Sequence, residues 1–387
     1  MTAMIEEVKK LYNNAFGSER VVYSRAPGRV EVLGNHTDYN EGFTLSCAID
    51  KEVHVAAGRS SMSDTFELSS THFSQVVKIK DVLPQRENSW VNYPLGVYKV
   101  LKDMGYPVGP FKIAIDSSVP LGAGLSSSAA LEVAVGIALA NLFDFKIQGA
   151  DLAKVCQKAE NSFVGANCGL LDQFSSIFGK QNHLLFIEYR NLEHETISIP
   201  DPDLTLAVTI SGVSHSLVTS AYNDRRKECF GAAEYFNKVD PSKKTLRDVS
   251  MAELQTAKGK LDPLYLKRAM HPVGEDERVK KGITLLRSGD MKAFGQLLYE
   301  SHESSKVNFE NSCKELDILV GIAKTIPGVY GSRLTGGGFG GATLTFLHND
   351  ARERFEETII KEYARQTGRQ AIVHFATIAE GACLVKS

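Results

Sequence analysis

Alternating apolar and polar residues mark the first part of the chain as rich in β-strands. The two-residue period of a strand recurs at 21–23, 30–33, 43–55 and 111–115. Turn-forming residues, Pro27-Gly28 and Asn40-Glu-Gly42, separate the first three of these runs. Residues 3–15 have the period of a short amphipathic helix instead.

Helical patterns become more frequent after residue 128. Apolar residues lie all round the segment 131–142, which predicts a buried helix, and a further helix is predicted over 151–164. The second half has charged helical stretches at 222–237, 263–270, 276–287, 291–303 and 313–324. Strands are predicted at 184–187, 204–210 and 342–347.

Helices and strands do not alternate strictly along the chain, so the pattern predicts an α+β protein rather than a doubly wound sheet. Its length of 387 residues exceeds the usual size of one domain. Pro200-Asp-Pro202 is the best candidate boundary. We therefore predict domains at 1–200 and 201–387, sharing one site.

Charge and cysteine content narrow the class of partner. The formal charge is −2, with 44 basic and 46 acidic residues well mixed, so no basic stripe for nucleic acid is expected and a small-molecule partner is favoured. The six cysteines show no C-x-x-C pair and predict reduced thiols.

No long apolar run occurs, and the N-terminus is acidic where a signal peptide is apolar. We expect a cytoplasmic protein with no membrane segment.

The segment Pro120-Leu-Gly-Ala-Gly-Leu-Ser-Ser-Ser-Ala-Ala130 has the composition of a phosphate-binding loop. It follows a strand pattern and precedes a helix pattern, where free backbone N–H groups and the helix dipole attract an anion. It is no Walker A loop, because no Gly-Lys-Ser/Thr follows, so a metal is expected to neutralise the phosphate charge. An ordinary Gly/Ser turn is the alternative.

A second polar segment, 26–40, predicts a site for a polyhydroxylated ligand. Arg29, Asn35, His36 and Asp38 supply both donors and acceptors, which buried sugar hydroxyls require. A solvated surface loop is the alternative, and a lone histidine such as His36 is more often structural.

Two acids further along are candidates for chemistry. Asp172 lies between apolar residues in 168–175, and a buried carboxylate needs a partner, for which we predict Arg29. A helix-capping role is the alternative. Glu160 could hold magnesium together with a serine hydroxyl, or lie on the surface. The cluster Gly336–Gly341 serves either phosphate binding or close packing.

Taken together, these segments resemble the galactokinase branch of the GHMP kinases. The matching stretches are APGRVEVLGNHTDYNEGF, SWVNYPLGV, PLGAGLSSSAALE, CGLLDQFSS, HSLVTSAYNDRRKEC and LTGGGFGGATL. They span nearly the whole chain, and several long motifs in the family's order are far more specific than one glycine pattern.

The resemblance implies a two-domain GHMP kinase fold with the active-site cleft between the domains, and phosphorylation of the anomeric hydroxyl of galactose by Mg-ATP. It implies catalytic roles for Asp172 and Arg29, and a sugar site formed by Arg29, Asn35, His36, Asp38, Gly169, Asp172 and Tyr222. It places adenine near Trp90 and Tyr93, and Mg²⁺ on Ser128 and Glu160. The phosphates would lie on Gly122, Ala123, Gly124, Leu125, Ser126, Ser127 and Ser128.

The chain departs from the family pattern at two positions. It has Asn35 where the family has Glu near the sugar's 6-hydroxyl, and Glu31 where the family has Asn. A neutral amide makes an altered C6 group less unfavourable, so galacturonate competes with galactose as the expected substrate. Whether the Glu31 side chain faces the site is left open.

Three further alternatives concern activity. Asp172 either accepts the hydroxyl proton late in the transition state or only orients the hydroxyl. A non-catalytic sugar sensor is disfavoured, because the Ser/Ala part of the phosphate loop, which is shortened in the sensors related to galactokinases, is present in full as Ser126-Ser-Ser-Ala-Ala130. A mevalonate or homoserine kinase is disfavoured by the sugar segment and by Tyr222-Asn-Asp-Arg-Arg226. A monomer is expected.

Overall fold

The computed structural model describes residues 3–17, 20–120, 124–166, 168–213 and 218–386. In chain order its strands are β1 (Val22–Leu33), β2 (Phe43–Arg59), β3 (Phe66–Ser70), β4 (Phe73–Ile79), β5 (Phe111–Ser117), β6 (His183–Glu188), β7 (Glu193–Ser198), β8 (Leu204–Ile210), β9 (Val329–Thr335), β10 (Ala342–His348), β11 (Ile372–Ala376) and β12 (Cys383–Val385).

The helices of the described residues lie between these strands. They are α1 (Ala3–Phe16), α2 (Asn92–Asp103), α3 (Ser127–Leu142), α4 (Gly149–Ala159), α5 (Leu171–Phe178), α6 (Val218–Val239), α7 (Met251–Thr256), α8 (Pro263–Ser288), α9 (Met291–Ser304), α10 (Lys314–Ala323) and α11 (Arg352–Thr367). A π-helical turn, Glu160–Val164, continues directly from α4. None of the described helices is long and apolar enough to cross a lipid bilayer.

Two sheets form the framework. The first has the order β12-β1-β2-β5-β3-β4, with β6 paired to β2 and β7 to β6, and the second has the order β11-β8-β10-β9. Among these pairings β3 with β5 is parallel and the rest are antiparallel. Mixed helices and sheets of this kind confirm the predicted α+β class.

Helix α3 lies across β1 and β2 behind the glycine-rich loop. Its buried residues, among them Glu132, Val133 and Leu139, surround the helix rather than forming one stripe, as the apolar pattern predicted. Ser24 on β1 donates a hydrogen bond to the carbonyl of Ala134, at 2.7 Å between Oγ and O. The middle of α3 is thereby fixed relative to the strand that carries Arg29.

The second half contributes α6 to α11 around the smaller sheet. The predicted helices 263–270 and 276–287 are one helix, α8, with Pro272 inside it. Burial of His271, Pro272 and Val273 against the core outweighs the hydrogen bond that proline removes. The structure also contains elements that the pattern did not predict, namely β3, β4, β7, β9, β11, β12, α2, α5, α7 and α11.

The two halves meet along a cleft, and the C-terminal strand belongs to the sheet of the first half. β7 ends at Ser198 and β8 begins at Leu204, on either side of the Pro200-Asp-Pro202 segment. β12 then returns to the first sheet and pairs with β1, with Val385 opposite Tyr23. The division at residue 200 remains a prediction, since the last strand belongs to the first sheet.

Candidate active site

A cavity of about 480 Å³ lies where the two halves meet. Strand β1, the segment after it, α5, the start of α6 and the glycine cluster after β9 all contribute to its wall. The described residues that line it are Arg29, Glu31, Gly34, Asn35, His36, Asp38, Thr44, Gly165, Ala166, Cys168, Gly169, Leu171, Asp172, Tyr222, Asn223, Gly336 and Gly337. Each residue predicted for the sugar site is among them.

The predicted ion pair between Arg29 and Asp172 is present. Arg29 Nε lies 2.7 Å and Nη2 2.6 Å from Oδ1 of Asp172, and Nη1 donates to the Gly124 carbonyl at 2.8 Å. The second carboxylate oxygen, Oδ2, accepts from the Ser126 hydroxyl at 2.5 Å. Asp172 is therefore held from both sides, in the first turn of α5.

The described part of the loop is held against β1. The Arg29 backbone N–H donates to the Leu125 carbonyl at 3.1 Å. A Cβ on Gly28 would lie 2.7 Å from that same oxygen, so only glycine permits this approach. Ser126 has a left-handed backbone, φ 56°, directly before α3, whose first turn contains Ser127 and Ser128. The predicted phosphate ligands Gly122 and Ala123 lie outside the described residues.

Asn35 joins the two halves of the chain. Its backbone N–H and that of Gly34 donate to Oε2 of Glu275, at 3.1 and 2.8 Å. Its side-chain Nδ2 donates to the Gly336 carbonyl at 2.9 Å, and its Oδ1 accepts from Asn311 at 3.3 Å. Both ends of the Asn35 amide are therefore engaged with the second half.

His36 is buried between aromatic rings at the cavity wall. Its ring centroid lies 5.0 Å from that of Tyr222 and 4.4 Å from that of Phe309, and Nδ1 is 2.9 Å from the Tyr39 hydroxyl. Burial lowers the pKa of His36 to about 3, so the ring is neutral near pH 7. His36 can position a ligand but carries no charge.

Asp38 and Gly169 lie close together in the cavity wall. A Cβ on Gly169 would lie 1.9 Å from Oδ2 of Asp38, so this position accepts no side chain without displacing the carboxylate. Burial raises the pKa of Asp38 to about 6, and the negative charges of Glu31 and Asp172 add to this effect. Three acidic residues, Glu31, Asp38 and Asp172, therefore line one cavity and repel one another when they are charged.

A second group of polar residues surrounds Glu160 at the π-helical turn. Its Oε2 accepts from the Cys168 thiol at 3.2 Å and from Nε2 of Gln173 at 3.0 Å, and the Ser128 hydroxyl donates to the same carboxyl. Gln173 Nε2 also lies 3.3 Å from Glu132. Glu160 is buried rather than on the surface. The structure therefore brings together the two predicted magnesium ligands, Ser128 and Glu160.

The two predicted adenine contacts lie apart from the residues that line the sugar cavity. Trp90 stacks on Phe73, with ring centroids 5.3 Å apart, and its Nε1 has no hydrogen-bond partner among the described residues. Tyr93 is half-buried, and burial together with the nearby charges of Glu160 and Glu132 raises its pKa. Their role in adenine binding stays a prediction.

Sequence reasoning left Glu31 open and missed several lining residues. The structure places the Glu31 side chain on the cavity wall, where the Arg333 guanidinium approaches it at 3.2 Å. Strand alternation could have indicated this, because residues 29 and 31 share one face of β1. The glycine cluster Gly336–Gly341 was a candidate in the sequence, and the structure places Gly336 and Gly337 in the cavity wall. The contact of Ser126 with Asp172 joins residues far apart in the chain, and the sequence had no signal for it.

This arrangement can bind a neutral polyol and place one hydroxyl beside a carboxylate. Oxygen atoms of Glu31, Asp38 and Asp172 offer acceptors, and Asn35 and Arg29 offer donors. Gly124 and Ser126, which directly precede α3, make hydrogen bonds with Arg29 and Asp172, respectively. A hydroxyl acceptor and an anion site are therefore adjacent, as group transfer to a sugar hydroxyl requires.

Comparisons with known proteins agree with this geometry. Three family models match: the galactokinase galactose-binding signature over 10–59, the GHMP kinases N-terminal domain over 92–180, and the GHMP kinases C-terminal domain over 283–365. A galactokinase from Roseiflexus sp. (strain RS-1) is 37% identical over 376 residues, which cover 97% of this chain and 96% of that protein.

Solved structures give the same result. A Lactococcus lactis galactokinase complexed with galactose superposes with a TM-score of 0.92 at 30% identity, covering 99% of this chain and 100% of that one. Mevalonate kinase from Methanococcus jannaschii, at 16% identity and a TM-score of 0.63 over 94% of this chain and 100% of that one, shares the fold alone. The chain belongs to the galactokinase branch of the GHMP kinase family.

Proposed function

We propose that this protein transfers the terminal phosphoryl group of ATP to the anomeric hydroxyl of galactose, giving galactose 1-phosphate and ADP. The observation that carries the proposal is the Arg29–Asp172 pair, which lies in a polyol-sized cavity and contacts the glycine-rich loop through Gly124 and Ser126. The names of the two galactokinase relatives support the same reaction and sugar.

Asp172 is the proposed acceptor of the hydroxyl proton. Its two oxygens are fixed by Arg29 and Ser126, so a sugar hydroxyl entering the cavity meets a carboxylate with a set orientation. Arg29 lies beside it and offsets charge that develops on the transferred group. Asn35, His36, Asp38, Gly169 and Tyr222 are proposed to hold the rest of the sugar.

Nucleotide binding is proposed at the start of α3. Backbone N–H groups of 124–128 and the helix dipole favour the phosphates, and Trp90 and Tyr93 are proposed to approach adenine. The proposed ligands fit Mg²⁺, because Glu160 and Ser128 offer hard oxygen donors. Burial and the charge of Asp172 raise the pKa of Glu160, and a bound cation would relieve that repulsion. When bound, Mg²⁺ would neutralise charge on the phosphates; Gln173 and Cys168 orient the Glu160 carboxyl.

The decisive experiment is ADP release by the purified chain with ATP, Mg²⁺ and a panel of galactose, galacturonate, N-acetylgalactosamine, arabinose and glucose. We expect turnover with galactose to exceed that with each other sugar. Galactose binding without ADP release would instead indicate a sensor. Preferred turnover of another sugar would support the proposed kinase activity but contradict galactose as the substrate.

A further inference from the structure

Glu31 combines an ion pair across the two halves of the chain with a place on the cavity wall. It lies two residues from Arg29 on the same face of β1, and both side chains line the cavity. Arg29 is already paired with Asp172. Glu31 Oε1 lies 3.2 Å from Nη1 of Arg333, a fully buried arginine on β9, and Glu31 is one of the residues that line the cavity.

Arg333 favours the charged form of the Glu31 carboxyl group, whereas burial favours the neutral form. Arg333 Nη1 also donates to the Val32 carbonyl at 3.1 Å, while its Nε and Nη2 find no hydrogen-bond partner among the described residues. A cation so deeply buried strongly favours an anion beside it. Burial raises the pKa of Glu31, and Arg333, Arg29 and a hydrogen bond from Asn35 oppose that rise.

Asn35 does not replace this charge. Its amide nitrogen donates to Gly336 and its amide oxygen accepts from Asn311, so the side chain serves the contact between the two halves. Among the described residues that line the cavity, Arg29 is the sole arginine or lysine, against the carboxylates of Glu31, Asp38 and Asp172. A sugar with its own carboxylate would add negative charge to an acidic wall.

We infer that Glu31 is a specificity-determining residue that accepts a hydrogen bond from one hydroxyl of a neutral hexose, distant from the reacting oxygen, and excludes hexuronates from the cavity. This inference rests on the proposed function. It assigns the acceptor role to Glu31, because the amide oxygen of Asn35 already accepts a hydrogen bond from Asn311.

The test compares the wild-type chain with Glu31→Gln on galactose, its 2-, 3-, 4- and 6-deoxy derivatives, and galacturonate. Loss of a charge-assisted hydrogen bond should lower kcat/KM for galactose by roughly 10- to 100-fold. For one deoxy sugar the penalty should nearly vanish, because the hydroxyl that Glu31 contacts is already missing. The ratio of galacturonate to galactose turnover should rise by about tenfold or more.

Controls separate this role from simple support of Arg333. Glu31→Asp keeps the charge and should retain most discrimination against galacturonate. Glu67→Gln changes a different buried glutamate, which lies on β3 and pairs with Lys78 at 2.9 Å. This variant should leave the ratios of kcat/KM between the sugars unchanged. Melting temperatures of the variants report any loss of folding.

The outcomes are distinguishable. An equal loss on all sugars in Glu31→Gln would overturn the inference and leave Glu31 as the counter-ion of Arg333. A wild-type chain that releases no ADP with galactose would overturn the proposed function itself, before any variant is compared.

Discussion

At the scale of single residues, the orientation of the Asp172 carboxylate is set by a separate partner for each of its two oxygens. Arg29 holds Oδ1 and the Ser126 hydroxyl holds Oδ2. The carboxylate is therefore oriented before substrate arrives, and little reorganisation accompanies the reaction. Loss of charge at this position should affect the chemical step more than binding.

Asp172→Asn tests that expectation. The amide cannot accept the hydroxyl proton, so we expect kcat to fall by about 10²- to 10⁴-fold, the usual contribution of a general base. ATP binding, followed by calorimetry, should change little, because the loop contacts of Leu125 and Gly124 with Arg29 remain. Near-normal turnover in this variant would leave Asp172 with an orienting role only.

Gly169→Ala tests the contact with Asp38. Its Cβ would lie 1.9 Å from Oδ2 of Asp38, so the carboxylate must move out of place. We expect kcat/KM for the sugar to fall by up to about 100-fold, as for other displaced active-site groups. Steady-state kinetics with varied galactose measure the effect.

Gly321→Ala is the matched control for that substitution. Gly321 is in α10, and a Cβ there would meet nothing within 4 Å. Because alanine favours helix over glycine, this variant should be about 1 kcal/mol more stable and kinetically unchanged. If both alanine variants kept wild-type kinetics, the close approach of Gly169 to Asp38 would not matter for function.

At the scale of secondary structure elements, α8 connects the second half to the sugar segment. Its Asp276 accepts a hydrogen bond from the Phe43 backbone N–H at 2.8 Å, at the start of β2. Burial raises the pKa of Asp276 from 3.8 to about 7, although Arg247 and Lys280 oppose the rise. The folded protein therefore holds this proton more tightly than the unfolded chain.

Asp276→Asn should change the pH dependence of stability. With a raised folded pKa, the stabilising effect is full below about pH 4 and is lost as the pH rises through about 7. Asparagine does not titrate, so the melting temperature of the variant relative to wild type should increase between these two pH values. Glu277→Gln, on the exposed side of α8, should show no such trend. A difference independent of pH would contradict the raised pKa.

Periodicity predicted elements whose pattern is strong and regular. The strands at 204–210 and 342–347 and the buried helix after the glycine loop were found at nearly their predicted places. The short strands β3, β4 and β7 lie in polar sequence whose strand state depends on pairing with neighbours. Local pattern could not identify them, nor could it show that α8 continues through Pro272.

At the scale of the whole molecule, buried charges hold the two halves together. Glu275 on α8 is fully buried, accepts from the backbone N–H groups of Gly34 and Asn35, and pairs with Arg278 at 2.6 Å. Despite burial, Arg278 and its neighbours hold the pKa of Glu275 well below its usual range. Its stabilising effect is therefore present at neutral pH and is lost progressively as the pH falls below about 4.5.

Glu275→Ala should destabilise the fold strongly. The change orphans two backbone donors and leaves Arg278 without its buried partner, which costs about 3–5 kcal/mol in comparable cases. Denaturant unfolding measures the difference. Glu277→Ala, two residues along the same helix and exposed, should stay within about 0.5 kcal/mol of wild type. If both variants were equally stable, the contacts of Glu275 would not contribute to holding the two halves together.

The expected monomeric state remains a prediction.

By itself, the sequence determined the α+β class and the strand and helix on either side of the glycine-rich loop, and it predicted Arg29 as the partner of Asp172. These follow from local period and from the cost of burying a lone charge, both of which are properties of residue types. Tertiary structure decided that Glu31 faces the cavity, that Asn35 connects the two halves, and that Ser126 holds Asp172. Those contacts join residues far apart in the chain, and only packing of the two sheets and their helices fixes the direction in which each side chain points.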